Sequence, residues 1–233
     1  ALRIHLHAQE LPLASAEQAL RDTLANMGGS TLVGSTAAVT CVALSTSNRW
    51  AVTGGSDGTV RLWTLENLGE AEVLTPPARA SSDRLRLNRP EWDGIFALAV
   101  SDDNHWLAAG VREQVVLWDL HTDKQARKAI PLEGHIGRVR HLAFTPDSKR
   151  MVGADEVGSV RLWALAHESL SSNATVLTGS GRIPLVLAMS ISGDGRWLVL
   201  VGHSGELAGW DLGAADVVRS RRVLPAEAGG FSS

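Results

Sequence analysis

The 233-residue chain has no tyrosine, three phenylalanines, a single cysteine and a formal net charge of only −3. One cysteine, Cys41, excludes an internal disulfide framework and suits a reducing compartment. The near-neutral balance lacks the basic stripe that nucleic-acid binding requires. No run approaches the roughly 18 apolar residues that span a bilayer. The first residues, Ala1 to Leu13, hold two histidines, a glutamine and a glutamate, unlike the apolar core of a secretory leader. The chain is therefore expected to be cytoplasmic, with neither nucleic acid nor membrane as partner. Its bare start at Ala1 suggests a piece excised from a longer protein.

Tryptophan is abundant instead, with eight copies. That excess points to a repeated structural slot for indole. Four alternating apolar segments close on tryptophan, at Trp63, Trp118, Trp163 and Trp210, spaced 55, 45 and 47 residues apart. Upstream of each lies a short strand: Val39 to Leu44, Ile95 to Val100, Val139 to Phe144 and Val186 to Ile191. A polar turn follows each of them (Ser45–Asn48, Ser101–Asn104, Thr145–Ser148, Ser192–Gly195), built from residues that bond their own backbone or tolerate tight geometry. A second strand then opens with Trp50, Trp106, Arg150 or Trp197 and reaches glycine before the tryptophan strand begins.

Three strands at hairpin spacing, with a fourth in each longer connection, make a four-stranded antiparallel sheet. Such a sheet needs copies of itself on both faces, and stacking around an axis provides them. Seven of the eight tryptophans are expected in the core of such a stack, and Trp92 is left over.

On these residues the chain resembles the WD-repeat family of β-propellers over about Thr31 to Leu212. Its best copies are Gly54-Gly55-Ser56-Asp57-Gly58-Thr59-Val60-Arg61-Leu62-Trp63 and Leu132-Glu133-Gly134-His135. The resemblance implies an all-β propeller of four-stranded antiparallel blades with a hydrogen-bonded tetrad (His, Ser/Thr, Asp, Trp) in each blade. No blade keeps all four members. The first has Thr53, Asp57 and Trp63 but Ser35 in place of histidine. The third has His135 and Trp163, with Gly153 and Val157 in the other two slots. Blades two and four carry Ala109 and Leu200 in the Ser/Thr slot. An unpaired buried member costs about 1–3 kcal/mol, so Asp57 and His135 are expected to find substitute partners or water.

Before the repeats, Ser15 to Gly29 reads as a capped amphipathic helix. The expected organisation is a helical segment over 1–29 and propeller blades over 30–233, probing only part of a longer ring. A helix preceding such repeats also resembles the junction before the WD-repeat sensor region of large bacterial signalling proteins of the STAND NTPase or kinase type. At the other end, Val217 to Leu224 reads as an outer strand. Further blades, in the same protein or another chain, would complete the ring.

Catalytic, cofactor and metal sites are expected to be absent. No nucleophile elbow, phosphate loop or metal-ligand cluster occurs, and His5 and His7 stand without companions. The positive expectation is a protein-binding or sensing scaffold, with a self-assembling structural segment as the alternative. In propellers of this kind, partners meet the loops entering first strands and those joining second to third strands. Here these loops supply Glu91, Trp92, Asp93, Arg112, Glu113, Arg138, Glu156, Arg182 and His203, with Trp92 either the foremost aromatic anchor or a residue packed under its own long connection. The long connection Glu66 to Pro90 is basic and turn-rich and reads as a flexible loop.

Overall fold

The computed structural model describes residues 37–66, 71–77, 94–166, 169–170, 174–178 and 185–224. The N-terminal helix expected over Ser15–Gly29 lies outside them, as do Ser35, Glu91, Trp92, Asp93 and Arg182.

Four antiparallel sheets follow one another along the chain. The first holds β1 (Val39–Leu44), β2 (Trp50–Gly55), β3 (Val60–Thr64) and β4 (Glu72–Leu74). The second holds β5 (Ile95–Val100), β6 (Trp106–Val111), β7 (Gln114–Asp119) and β8 (Ala129–Leu132). The third has β9 (Val139–Phe144), β10 (Arg150–Asp155) and β11 (Val160–Ala166). Its outer edge is split: β12 (Ser169–Leu170) and β13 (Thr175–Val176) pair with successive parts of β11, so no single fourth strand forms there. The last holds β14 (Val186–Ile191), β15 (Trp197–Gly202), β16 (Leu207–Asp211) and β17 (Arg222–Leu224). The outer strand expected from Val217 thus starts only at Arg222. Ser220 is the reason: its hydroxyl bonds the Val217 and Asp211 carbonyls and accepts the Asp211 N–H, curling the segment before it can pair.

Each first hairpin is closed by the same device. The hydroxyl of Ser45, Ser101, Thr145 or Ser192 accepts the N–H of the residue opening the second strand, at 2.8–3.1 Å. The fourth turn residue (Asn48, Asn104, Ser148 or Gly195) takes positive φ and donates its N–H to the carbonyl of that same hydroxyl residue. Short polar residues tolerate this left-handed geometry.

Apolar faces then pack in chain order. Val52, Val60 and Leu62 of the first blade meet Leu107, Val116 and Trp118 of the second. Trp106 and Leu117 on the second blade's other face meet Met151 and Trp163 of the third. Val152, Val160 and Leu162 of the third meet Leu198, Leu200 and Trp210 of the fourth. The third-strand tryptophans therefore face the preceding blade, while the residue opening each second strand faces the following one. Arg150 takes the latter role in the third blade and donates to the Leu212 carbonyl of the fourth. Trp197 takes it in the last blade, and there no described blade follows. It is 36% exposed, against 5% for Trp106. The expectation that Trp197 is core is corrected accordingly: its slot is an interface slot, and it is filled only when a neighbour is present. Leu187 and Val223 are exposed on the same blade.

The eroded tetrads resolve in particular ways. Thr53 accepts the indole N–H of Trp63 at 3.1 Å, as the repeat pattern implied. Asp57, without its histidine, turns to the Thr59 N–H and hydroxyl at 3.0 and 2.7 Å and lies 3.7 Å from Arg61. In the third blade the missing acid is supplied from two residues earlier. Asp155 and His135 are both buried, with Oδ2 and Nδ1 3.0 Å apart. The same carboxylate accepts backbone N–H groups of Ile136, Gly137, Val157 and Ser159. Gly153 leaves no space for the family hydroxyl, because a Cβ there would stand 2.9 Å from His135 Nε2 and 3.0 Å from the Trp163 ring. In the last blade the Trp210 indole donates to the Leu177 carbonyl of the third.

Two expectations follow. Trp106→Ala should destabilise the chain by about 3–5 kcal/mol, as for a fully buried aromatic, and Trp197→Ala by less than half as much, both read from urea midpoints. Equal losses would contradict the free-face assignment. Burial alone would raise the Asp155 carboxyl, but hydrogen bonds from His135 and from the Ser159 and Gly137 amides, with the His135 charge, outweigh it and hold the pKa below the ordinary carboxylate value. A depressed folded-state pKa means the contribution is complete above the unfolded value, about 4, and fades as pH falls through the folded one. Asp155→Ala should therefore cost about 3–5 kcal/mol near neutrality, a deficit that shrinks below about pH 4 in unfolding titrations.

Candidate partner-binding face

The turns joining second to third strands and the residues entering first strands share one edge of the blades, and backbone bonds fasten them together. Ser56 donates its N–H to the Ala38 carbonyl, Glu156 to Arg138 and His203 to Leu185, at 2.8–3.0 Å. In the second blade the turn is shorter, Val111 pairing directly with Gln114. Arg112 there takes positive φ, and its carbonyl receives the Val139 N–H of the next blade at 2.8 Å.

Just inside this edge every blade breaks register once. The pairing of first and second strands slips at the second residue of β1, β5, β9 and β14. Thr40, Phe96, Arg140 and Leu187 are the extra residues. A bulge of this kind bends the strand and re-aims a side chain. Here the redirected side chains reach across to neighbouring blades. The Thr40 hydroxyl bonds the Gly54 carbonyl of its own blade at 3.0 Å and the Ile95 carbonyl of the next. The Phe96 ring carries two guanidinium groups, Arg138 at 5.0 Å and Arg140 at 4.8 Å from its centroid. Glu156 lies 3.9 Å from Arg138 and 3.8 Å from Arg140.

One carboxylate therefore serves two cations, and Arg140 is 41% exposed. Burial and the charge of Arg138 lower the Arg140 pKa, while Glu156 opposes them incompletely. Beside this cluster lies a cavity of about 220 Å³ bounded by Cys41, Val42, Phe96, Arg140, His141 and Met189, residues of all four inner strands. Ligand pockets typically run to about 300–1,000 Å³, so this one accommodates a side chain better than a cofactor. Its reactive groups are subdued. Burial pushes the Cys41 thiol up to about 12. His141 is held below the usual imidazole value by burial, the hydrogen bond to Val186 opposing and the Arg140 charge assisting.

Of the sequence-derived candidates, Arg138 and Glu156 are brought together here. Arg112 and Glu113 form the short turn of the second blade, and the His203 side chain is exposed on the fourth, apart from the cluster. Phe96 and Arg140 were missed by the sequence reading. The run Ile95-Phe96-Ala97 breaks strict alternation, and that irregularity is the signal that could have found the bulge.

The comparisons with known proteins agree with this architecture. Residues 29–64 and 127–164 match the family model described as WD domain, G-beta repeat. The second match runs from the outer strand of one blade into the third strand of the next, so one repeat straddles two blades. The human WD repeat-containing protein 36 is 28% identical over 186 residues, covering 80% of this chain and 18% of that protein. Guanine nucleotide-binding protein subunit beta-1 of Nicotiana tabacum is 35% identical over 103 residues, 44% of this chain and 26% of its own length. Target of rapamycin complex subunit wat1 of Schizosaccharomyces pombe is 29% identical over 119 residues, 51% of this chain and 36% of its own. The chain thus spans about a third or less of these curated relatives. A solved structure, that of U3-55K, superposes with a TM-score of 0.61 at 21% identity, over 83% of this chain and 54% of that one, and shares its fold. Two segments of the chain are thus similar to WD repeats, and its described sheets follow one another in the manner of propeller blades.

Proposed function

We propose that the chain is a non-catalytic, cytoplasmic protein-recognition scaffold whose partner meets the edge built by Phe96, Arg138, Arg140 and Glu156. WD-repeat relatives are protein-interaction scaffolds, and one of those compared is named as a subunit of a complex. The observation that carries the reading is the bulge at the second residue of each inner strand, which gathers an aromatic ring and two arginines sharing one carboxylate. Aromatic and arginine side chains dominate interface hot spots. Trp92, Glu91, Asp93 and Arg182 lie outside the described residues and stay in the proposal as further candidates, Trp92 as an anchor. A parent protein of bacterial signalling type rests on the order of helix and repeats alone; the relatives compared are eukaryotic.

The alternative is a structural segment whose main partner is the rest of its own ring, made of further blades in the same protein or another chain. The exposed Trp197 favours it, because that position is covered wherever a described blade follows.

Arg140→Glu and Trp92→Ala should each cut partner capture from native extract by about tenfold or more, as expected of hot-spot residues, with melting temperature unchanged. Retained capture by both variants would overturn the recognition surface. Ring completion is tested separately by gel filtration with multi-angle scattering: self-association through the free face is expected, and a compact, stable monomer would overturn it.

A further inference from the structure

The second blade carries a pair of histidines at the edge opposite its short turn, away from the recognition surface. Strand pairing sets Trp106 opposite Asp119. His105 immediately precedes that pair and His121 follows it by two residues. Two bonds from main-chain amides fix the arrangement: Leu120 donates its N–H to the His105 carbonyl at 2.7 Å, and His121 donates its N–H to the Asp119 side chain, at Oδ1, at 2.8 Å. The imidazoles then meet edge to face, with centroids 4.4 Å apart and their Nδ1 atoms 2.9 Å apart.

Three features make this more than a chance contact. The other ring nitrogen of His105, Nε2, lies 3.4 Å from Asp119 Oδ1. A carboxylate in that place favours the tautomer with the ring proton on Nε2, which would leave Nδ1 as the donor atom, the arrangement by which metal-binding histidines are oriented. The Trp106 ring, 4.6 Å from the His105 ring, further limits its rotation. Asp103 accepts the His105 backbone N–H at 2.9 Å and holds the main chain on the other side.

The spacing has a geometric meaning. Two nitrogens each about 2.0–2.1 Å from one ion, at a right angle, lie about 2.9 Å apart. Tetrahedral coordination would separate them further. Right-angled imidazole donors suit the tetragonal ions Cu(II) and Ni(II). Among the described residues no three His, Cys, Asp or Glu side chains converge on one point. Among the described residues the site therefore offers two histidine donors, and His121 is exposed.

We propose that His105 and His121 bind a divalent transition-metal ion of tetragonal preference through their Nδ1 atoms, with Asp119 orienting His105 from behind.

Ni²⁺ titrated into the untagged chain by calorimetry tests this, in a background carrying His5→Asn and His7→Asn to remove the other close histidine pair. One site is expected. His105→Asn and His121→Asn should each weaken it at least tenfold, and Asp119→Asn by about tenfold, the loss usual for an orienting partner. His121 is exposed, so His121→Asn keeps the test valid if the other variants fail to fold. Imidazole nitrogen resonances of the background chain give the second measurement, with paramagnetic Ni²⁺ expected to broaden His105 and His121 before the remaining histidines. Unchanged affinity in His121→Asn, or no saturable heat in the background chain, would overturn the proposal and leave a hydrogen-bonded histidine pair only.

Discussion

Every blade in this chain is apolar on both faces, and that single constraint organises the rest. A half-buried sheet can be satisfied by one layer of packing; a sheet with Val52, Leu62 and Trp63 buried together needs cover on either side. The tryptophans divide this labour by position. Those closing third strands point back toward the preceding blade, and those opening second strands point forward. Each interface is thus stocked from both sides, and its stability belongs to neither blade alone. Nearest-neighbour coupling of this kind is what makes repeat proteins behave as linear arrays, with terminal units differing from internal ones. The contrast between Trp106 and Trp197 is that difference at single-residue scale.

The same constraint explains why eroded polar tetrads are tolerated. Ala109 and Leu200 sit where the repeat pattern places a hydroxyl, and both are fully buried in apolar clusters. Replacing a polar group by a packed methyl or isobutyl group removes a hydrogen bond but adds burial, and the two effects are of similar size. Two surviving pairs are hydrogen-bonded, Thr53 with Trp63 and His135 Nδ1 with Asp155, while His135 Nε2 and the Trp163 indole nitrogen are buried without a hydrogen-bond partner.

The first strands of these hairpins and the residues opening the second strands were legible in the sequence to the residue, because the Ser or Thr before each turn and the Asn, Ser or Gly within it set the geometry locally; two of the second strands run past the glycine expected to end them, to Val111 and Asp155. Less was legible where a neighbour decides the outcome. Whether Trp197 is covered depends on a blade, not on its own flanking residues. The bulges at Thr40, Phe96, Arg140 and Leu187 add one residue without altering composition, so alternation alone does not locate them. Of the partner face, Arg138 and Glu156 could be named from loop position, whereas Phe96 and Arg140 lay hidden inside a predicted strand. The acid of the third blade was overlooked because it was sought at the slot of Val157.

That displaced acid constrains how such blades can change. Asp57 and Asp155 occupy different positions of the same turn, yet each delivers a carboxylate oxygen to the equivalent amide, that of Thr59 or Ser159. In the first blade a Cβ on Gly55 would lie 2.3 Å from the Asp57 carboxylate. Moving the acid from one position to the other by single substitutions must therefore pass through a turn with two carboxylates in one space or with none. The two arrangements are separated by a barrier in sequence space, although the charge they place in the fold is nearly the same. Blades that look degenerate by pattern can in this way be electrostatically intact.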